Sequence, residues 1–535
     1  MKSTQTTATS EAAPADRQQL LARLQQAPTW DLLVIGGGAT GLGVALDAAA
    51  RGFSTVVLEA HDFAKGTSSR ATKLAHGGVR YLAQGNISLV HEALHERTTL
   101  LRNAPHLAQP LGFVMPSYHL WETPFYGTGL KMYDVLAGRA GLGPTEFLSR
   151  MGALRKLPGL RAEGLKGGVA YWDGQFDDAR LALALARTAA ARGALVLNYC
   201  PVRALRHEGG RLAAVACEDA ETGRQFEVRA RAVVNATGVW VDEVRAMDAH
   251  AQAARHAPLV VPSQGVHIVV DQDFLPGPHA LLVPKTADGR VLFAVPWLGK
   301  LLIGTTDTER EHAALEPRAL PEEVAFLLRE SARYLGRAPQ PQDVRSCWAG
   351  LRPLVKPRHF SGAQTRSVSR EHTVLVEPGG LVSVTGGKWT TYRAMAEDVL
   401  DKCMQHGLLD TRPGGVTREL ALVGAMQGAS AHALSEPPGL HLYGSEAPSV
   451  QALPGAEHWL APGLSEAMVR FAARHEYARS VEDVLARRSR MLFLDARLAG
   501  GLAPAVAAIL GEELGRPVPV DDFLALARGY ARLPA

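Results

Sequence analysis

Cysteine is scarce in this chain: four in 535 residues, at Cys200, Cys217, Cys347 and Cys403, with no CxxC pair. That spacing speaks against a disulfide framework and against an iron–sulfur centre, and it fits a reducing compartment. Long apolar runs are missing too. The most apolar segment, residues 32–46, lies between Asp31 and Asp47 and is broken by five glycines. It is shorter than the ~20 residues a membrane-crossing helix needs, so no spanning segment is expected, while attachment to a membrane surface stays open. A signal-peptide core is absent from the first 28 residues, which are rich in Ser, Thr, Ala and Gln; Glu11 and Asp16 argue against a transit peptide. These residues read as a disordered tail (1–28) running into a short helix, Arg17–Gln26. Excess charge is lacking as well, the net value being +4. No nucleic-acid partner is expected, because such binders concentrate basic residues in one domain. The small positive balance suits an anionic substrate or an anionic lipid surface. No grouping of His, Cys, Asp and Glu has metal-ligand spacing, so no metal is expected, and Asp47 reads as a helix residue.

Hydrophobic residues make up 47% and charged residues 21%, the balance of a globular protein. The length exceeds one ordinary core, so two or three domains are expected. Leu32-Leu33-Val34-Ile35 is a short apolar run of buried-strand type that stops at Gly36-Gly37-Gly38. Small, helix-compatible residues follow from Gly41 to Arg51, then a second buried strand at 55–58. This is a βαβ unit, the start of a parallel sheet. Between Ile87 and Gly168 the pattern is mostly helical, with breaks at Pro105, Pro110, Pro116 and Pro124. A strong helix is predicted over 178–192 and a strand at 195–197, with β-rich runs continuing to Val234. Four runs between residues 259 and 308 have the character of an antiparallel sheet: 266–270, 280–283, 291–295 and 301–303. A helix near 321–335 follows, then a strand at 381–384, Gly386-Gly387-Lys388, and a helix to about His406. Beyond Pro413-Gly414-Gly415 helical signals dominate, notably over 465–474 and 480–494.

Gly36-x-Gly38-x-x-Gly41 follows a strand and opens a helix. Glycines there permit the tight turn, let a pyrophosphate approach backbone N–H groups, and let helix and strand pack closely. Glu59 ends the second strand, where a carboxylate can accept hydrogen bonds from an adenosine ribose. GxGxxG alone is a weak signal; with both strands, the helix and the acid in place it predicts a dinucleotide site. The acid does not separate NAD from FAD.

Four further stretches narrow the choice. The glycine turn continues as Gly36-Gly37-Gly38-Ala39-Thr40-Gly41-Leu42-Gly43-Val44-Ala45-Leu46-Asp47, then Arg51-Gly52. Gly66-Thr67-Ser68-Ser69 precedes Lys73-Leu74-Ala75-His76-Gly77-Gly78-Val79-Arg80-Tyr81-Leu82. The third is Ile303-Gly304-Thr305-Thr306-Asp307, and the fourth is Gly350-Leu351-Arg352-Pro353-Leu354, followed downstream by Gly386-Gly387-Lys388-Trp389-Thr390-Thr391-Tyr392-Arg393. Together they resemble the FAD-dependent, quinone-linked glycerol-3-phosphate dehydrogenase family from about residue 28 to the C-terminus, including the Arg-rich segment 484–490. Thr72 and Ala75 depart from the pattern, standing where Ser and a larger aliphatic are usual, at positions taken to be remote from the chemistry. The resemblance implies an α/β fold: an FAD-binding Rossmann-like domain (29–100, 165–258 and 360–408), an antiparallel-sheet substrate domain (101–164 and 259–359) and an all-helical C-terminal domain (409–535).

It also implies non-covalent FAD and oxidation of sn-glycerol 3-phosphate to dihydroxyacetone phosphate, with electrons passed to a membrane quinone. A glycerol-3-phosphate oxidase that reduces O2 to peroxide is the nearest alternative, because the substrate half-reaction is the same. A non-catalytic flavin-binding, membrane-associated protein is a more distant one. The C-terminal cysteines of the iron–sulfur-partnered anaerobic enzyme are absent. Cofactor contacts are expected, by resemblance, at Ser68, Ser69, Lys73, Gly78, Val202, Ala236, Thr237, Gly238, Gly387 and Lys388, beside the dinucleotide residues Gly36, Gly37, Gly38, Gly41 and Glu59. A helix starting near Thr390 can aim its N-terminus at the flavin edge that gains negative charge on reduction. Arg80, Arg352 and Lys388 are placed around the substrate phosphate, and Tyr81 can add a phenolic donor. His76 and His267 are both candidate proton acceptors; Arg352 can instead lower the alkoxide's energy. A quinone acceptor requires contact with the inner face of the cell membrane from the cytoplasmic side. Residues 121–139, with Trp121, Phe125, Tyr126, Leu130, Met132, Tyr133 and Leu136 beside Lys131 and Arg139, are the candidate surface; a helix packed inside the substrate domain is the alternative. A homodimer is compatible with the sequence.

Overall fold

The computed structural model describes residues 15–78, 87–248, 258–286, 288–356, 371–428 and 430–534. The strand Trp30–Ile35 lies at the centre of one sheet. It pairs in parallel with Thr55–Leu58 on one side and Gln225–Asn235 on the other. Leu195–Leu197 and Leu381–Gly386 extend the sheet in the same direction, and antiparallel His372–Val376 lies at the edge. Strand alternation sends Leu32 and Val34 into a core shared with the helices Ala39–Ala50, Asp178–Ala191 and Tyr392–Gln405. Leu33 and Ile35 go to the opposite core, with Leu24, Leu205 and Val228. Burial on both faces explains why these strands read as unbroken apolar runs.

The tail expectation is corrected from residue 15 onward. Arg17–Gln26 is helical, as predicted, and it is docked rather than loose. Leu24 is buried in the core, and the Arg17 guanidinium bonds Asp219 (3.0 Å) and the carbonyls of Asn198 (2.9 Å) and Tyr199 (3.0 Å).

Among the described residues the second sheet has ten strands. Val260–Asp271 runs antiparallel to both Lys300–Gly304 and Ser346–Val355. Leu292–Trp297 and Ala280–Val283 continue the sheet, which then passes to Ala108–Ser117 and Gly167–Phe176. Two readings are corrected here. Ala108–Ser117 is a strand, although the helical reading of 87–168 covered it; its Pro110 and Pro116 stand opposite Gly174 and Gly168, where no side chain competes for the space. Gly167–Phe176, assigned to the cofactor segment, pairs in this second sheet, as does the short strand Leu74–Ala75.

The last third of the chain packs Glu466–His475, Ala496–Leu514 and Asp521–Ala531 around Phe471, Leu485, Val506 and Phe523. It is not purely helical: Trp459–Ala461 and Leu464–Ser465 form a small hairpin. The helix predicted over 480–494 is interrupted. Residues Asp483–Arg488 are wound as a π-helix, Arg490 is left-handed (φ 65°), and Met491–Leu494 resumes as a helix. The irregular winding accompanies buried arginines: Arg487 and Arg488 both reach Asp62, and Arg490 reaches Asp178.

Candidate active site

Two cavities adjoin the strand Ser346–Val355. The first, of about 390 Å³, is walled by the glycine turn, Glu59, Ser68, Val202, the run Ala236–Gly238, and Gly386–Trp389. Gly36 adopts a φ of 107°, and a Cβ on it would lie 2.8 Å from the Ala236 carbonyl oxygen. A Cβ on Gly41 would lie 2.0 Å from Gly36 O, so only glycine lets the helix approach the strand this closely. Gly38 caps the helix Ala39–Ala50 without a side-chain bond. Its first turn, Gly38 to Thr40, lines the cavity, with Ser68 Oγ accepting from Ala39 N–H (2.9 Å). A helix N-terminus lined by glycine at a cavity fits a pyrophosphate. Glu59 accepts from Gly37 N–H (2.6 Å) and His61 N–H (2.8 Å), bracing the turn from the cavity edge. Burial raises its carboxyl above the usual range while these donors pull it back.

The second cavity, of about 990 Å³, is mostly apolar, with Phe113, Met115, Tyr171, Leu282 and Phe293 in its walls. Its polar members include His76, Asp173, Thr305, Thr306, Asp307 and Arg352. Arg352 Nη1 donates to Thr306 O (3.1 Å) and Nη2 to Thr305 Oγ1 (3.0 Å), with Asp307 at 3.6 Å. Ser263 Oγ in turn bonds Asp307. Across the strand pair stands Gly265, where a Cβ would meet Arg352 Nη2 at 2.3 Å. The missing side chain makes room for the guanidinium.

Behind this wall lies a buried polar chain. Lys73 Nζ donates to Ser69 O (2.8 Å) and Asp178 Oδ2 (2.7 Å). Arg490 Nη2 donates to the same two groups, Ser69 O (2.8 Å) and Asp178 Oδ1 (3.0 Å). The two cations and their shared acceptors close a ring that ties the C-terminal domain to the cofactor segment. Trp297, Trp348 and Phe493 surround the ammonium at 4.9–5.5 Å. Burial pushes Lys73 down to about 7, against the pull of Asp178. Trp348 also stacks on His267 (4.3 Å between centroids). His267 Nε2 and Thr72 Oγ1 share a hydrogen bond of 3.0 Å. Burial, then Lys73 and Arg352, hold the imidazole well below its ordinary value.

The structure brings several of the residues singled out in the sequence to one cavity and places others elsewhere. Gly36, Gly38, Glu59, Ser68, Val202, Ala236, Thr237, Gly238, Gly387 and Lys388 line the first cavity. Gly37 and Gly41 shape its turn without lining it. Ser69 and Lys73 lie behind it, in the buried ring, because Asp178 and Arg490 hold them there. Gly78 lines the second cavity. Thr390 is buried in the 3-10 turn Trp389–Thr391, and the following helix starts at Tyr392. His76 lines the second cavity, whereas His267 is covered and lines neither. Arg80 and Tyr81 lie outside the described residues. Thr72, taken as remote, touches His267. Sequence reasoning missed Asp178, Arg490, Trp348 and Trp389, whose Nε1 donates to Ser68 O (3.0 Å). Trp389 and Thr305–Asp307 stood inside quoted motifs and could have been singled out; nothing local marks Asp178.

Residues 31–397 match the family described as FAD dependent oxidoreductase, and residues 415–517 match the C-terminal domain of alpha-glycerophosphate oxidase. The mitochondrial glycerol-3-phosphate dehydrogenase of Mus musculus is 39% identical over 94% of this chain and 73% of its own. A probable mitochondrial glycerol-3-phosphate dehydrogenase of Caenorhabditis elegans is 39% identical over 93% of this chain and 72% of its own. The solved glycerol-3-phosphate dehydrogenase from Bacillus halodurans, complexed with FAD, has a TM-score of 0.75 at 31% identity, covering 96% of this chain and 95% of that one. L-alpha-glycerophosphate oxidase from Mycoplasma pneumoniae shares the fold, with a TM-score of 0.56 at 17% identity over 74% of this chain and 98% of that one.

Proposed function

The chain belongs to the FAD-dependent glycerol-3-phosphate dehydrogenase family, and from that premise we propose that it oxidises sn-glycerol 3-phosphate to dihydroxyacetone phosphate and delivers the electrons to a membrane quinone. The observation that carries this reading is a cationic side chain, Arg352, fixed in the wall of a large apolar cavity beside a dinucleotide cradle. Non-covalently bound FAD supplies the hydride acceptor for C2 of the substrate. The chain's own residues bind, orient and take up the proton.

Arg352 suits the substrate phosphate, which is near dianionic at neutral pH; its contacts to Thr305 and Thr306 hold the guanidinium in place before substrate arrives. Lys388 adds a second cation at the cofactor cavity. His76 is the better proton acceptor of the two histidines. It lines the substrate cavity, whereas His267 is covered and strongly disfavoured from taking a proton. His267 then serves to hold Thr72 and Trp348.

The acceptor and the membrane contact are supported by the helix Glu122–Ala137. Its residues Phe125, Tyr126 and Met132 line the second cavity, and Trp121, Phe125, Met132 and Val135 are exposed. Leu130 and Tyr133 are buried, so the candidate contact narrows to the outer face of the segment. Among the described residues no helix is long and apolar enough to cross a membrane, which leaves peripheral attachment as the route to a quinone, here proposed at the cytoplasmic side. Anaerobic mixing with sn-glycerol 3-phosphate tests the proposal by flavin absorbance. Bleaching should follow substrate, and recolouring should be fast with ubiquinone and slow with air. Fast reoxidation by air with peroxide release would instead establish the oxidase reading; no bleaching would exclude both.

A further inference from the structure

The helix Ile87–Asn103 carries a feature that substrate oxidation does not use. His91 and His95 stand four residues apart, one helical turn, with both side chains exposed. Their Nε2 atoms are 3.1 Å apart, and the rings are tilted by 56° with centroids 4.3 Å apart. Two imidazole nitrogens at about 2.0–2.1 Å from one ion lie about 3.3 Å apart at a tetrahedral centre and about 2.9 Å apart at a right angle. The observed spacing falls between these values.

We propose that His91 and His95 form a two-histidine chelate for a borderline divalent transition-metal ion of the Zn2+, Ni2+ or Cu2+ class. Imidazole nitrogen selects these ions, whereas Mg2+ and Ca2+ prefer oxygen ligands. Among the described residues no group of three or more His, Cys, Asp or Glu side chains is placed to hold a metal, so water completes the coordination. The helix fixes the spacing of the two ligands, because positions i and i+4 share a face. The other close histidine pair, His432 and His441, is less suited: its ring centroids are 5.0 Å apart, and His432 Nδ1 already meets Glu436 at 2.9 Å. The ordinary alternative is a hydrogen bond from one neutral imidazole to the other, with no affinity for metal.

The test uses tag-free holoenzyme, titrated calorimetrically with Zn2+ against a Mg2+ control, and Cu2+ electron paramagnetic resonance at one equivalent. Wild type should bind Zn2+ at a saturable site, ignore Mg2+, and show superhyperfine coupling from two imidazole nitrogens on Cu2+. His91→Gln and His95→Gln should each weaken Zn2+ binding by about tenfold or more, since each removes one of two protein ligands. The double variant should lose the site, while His432→Gln keeps it. Both positions are exposed, so FAD content and melting temperature should stay at wild-type values, separating lost ligands from lost folding. Absence of Zn2+ binding in wild type, or equal binding in the double variant, overturns the proposal.

Discussion

Arg352 and Pro353 are neighbours on one strand, yet they face different cavities: Arg352 lines the apolar one and Pro353 the dinucleotide one. Strand alternation sends successive side chains to opposite faces. A single β-strand thus forms part of the wall between the proposed substrate and the cofactor, and places a cation on the substrate side alone.

That separation predicts the behaviour of Arg352→Ala. Loss of a charge-assisted contact of ~1.5–3 kcal/mol lowers kcat/KM by at least one to two powers of ten. FAD content should be unchanged, since the side chain does not line the cofactor cavity. Steady-state kinetics with flavin quantitation checks both; near-normal kinetics would remove Arg352 from the substrate site.

Gly265→Ala is the more delicate probe. The new methyl group would meet Arg352 Nη2 at 2.3 Å and Thr305 Oγ1 at 2.6 Å. Both atoms end side chains that can swing away, so the melting temperature should change little. Arg352 would then leave its position, and KM for glycerol 3-phosphate should rise about tenfold. A stable variant with wild-type KM would show that the guanidinium's position is not critical.

His267 predicts a pH dependence of stability. Its folded-state affinity for protons is depressed by burial, Lys73 and Arg352. Below the ordinary histidine value near 6.5 the unfolded chain takes up a proton that the folded chain refuses. Stability is therefore fully present above that pH and falls as pH drops, by up to ~1.4 kcal/mol per pH unit for one proton. His106, pushed down to about 3 by burial and by Arg180 and Arg187, acts with the same sign. His267→Gln should flatten the melting-temperature profile between pH 7 and 5, leaving the His106 part. An unchanged slope would mean that His267 is protonated in the folded protein.

The exposed aromatic face gives the last prediction. Wild type should float with liposomes containing anionic lipid, and a Trp121→Glu, Phe125→Glu variant should float markedly less while keeping its FAD. Both side chains are more than half exposed, so the fold should tolerate the change. Equal flotation of the variant would move the contact elsewhere, and no flotation of wild type would remove the membrane from the proposal.

The sequence alone determined the dinucleotide cradle, because its determinants are local. Strand, glycine turn and helix follow one another between Trp30 and Ala50, and each residue's role is set by its own backbone. It likewise marked Arg352, His76 and Lys388 through short motifs. What it misassigned depends on partners distant in the chain. Ala108–Ser117 is a strand because Gly167–Phe176 lies beside it and offers glycines opposite its prolines. Lys73 does not line the cofactor cavity: Asp178, 105 positions further along by residue number, accepts from its ammonium, and Arg490, 417 positions further along, donates to the same two acceptors. Burial, under a stacked Trp348, and then Lys73 and Arg352, arriving from other strands and loops, lower the proton affinity of His267. Burial and shared hydrogen bonds are properties of the assembled interior, so only the tertiary structure decided which histidine lines the apolar cavity and which is covered.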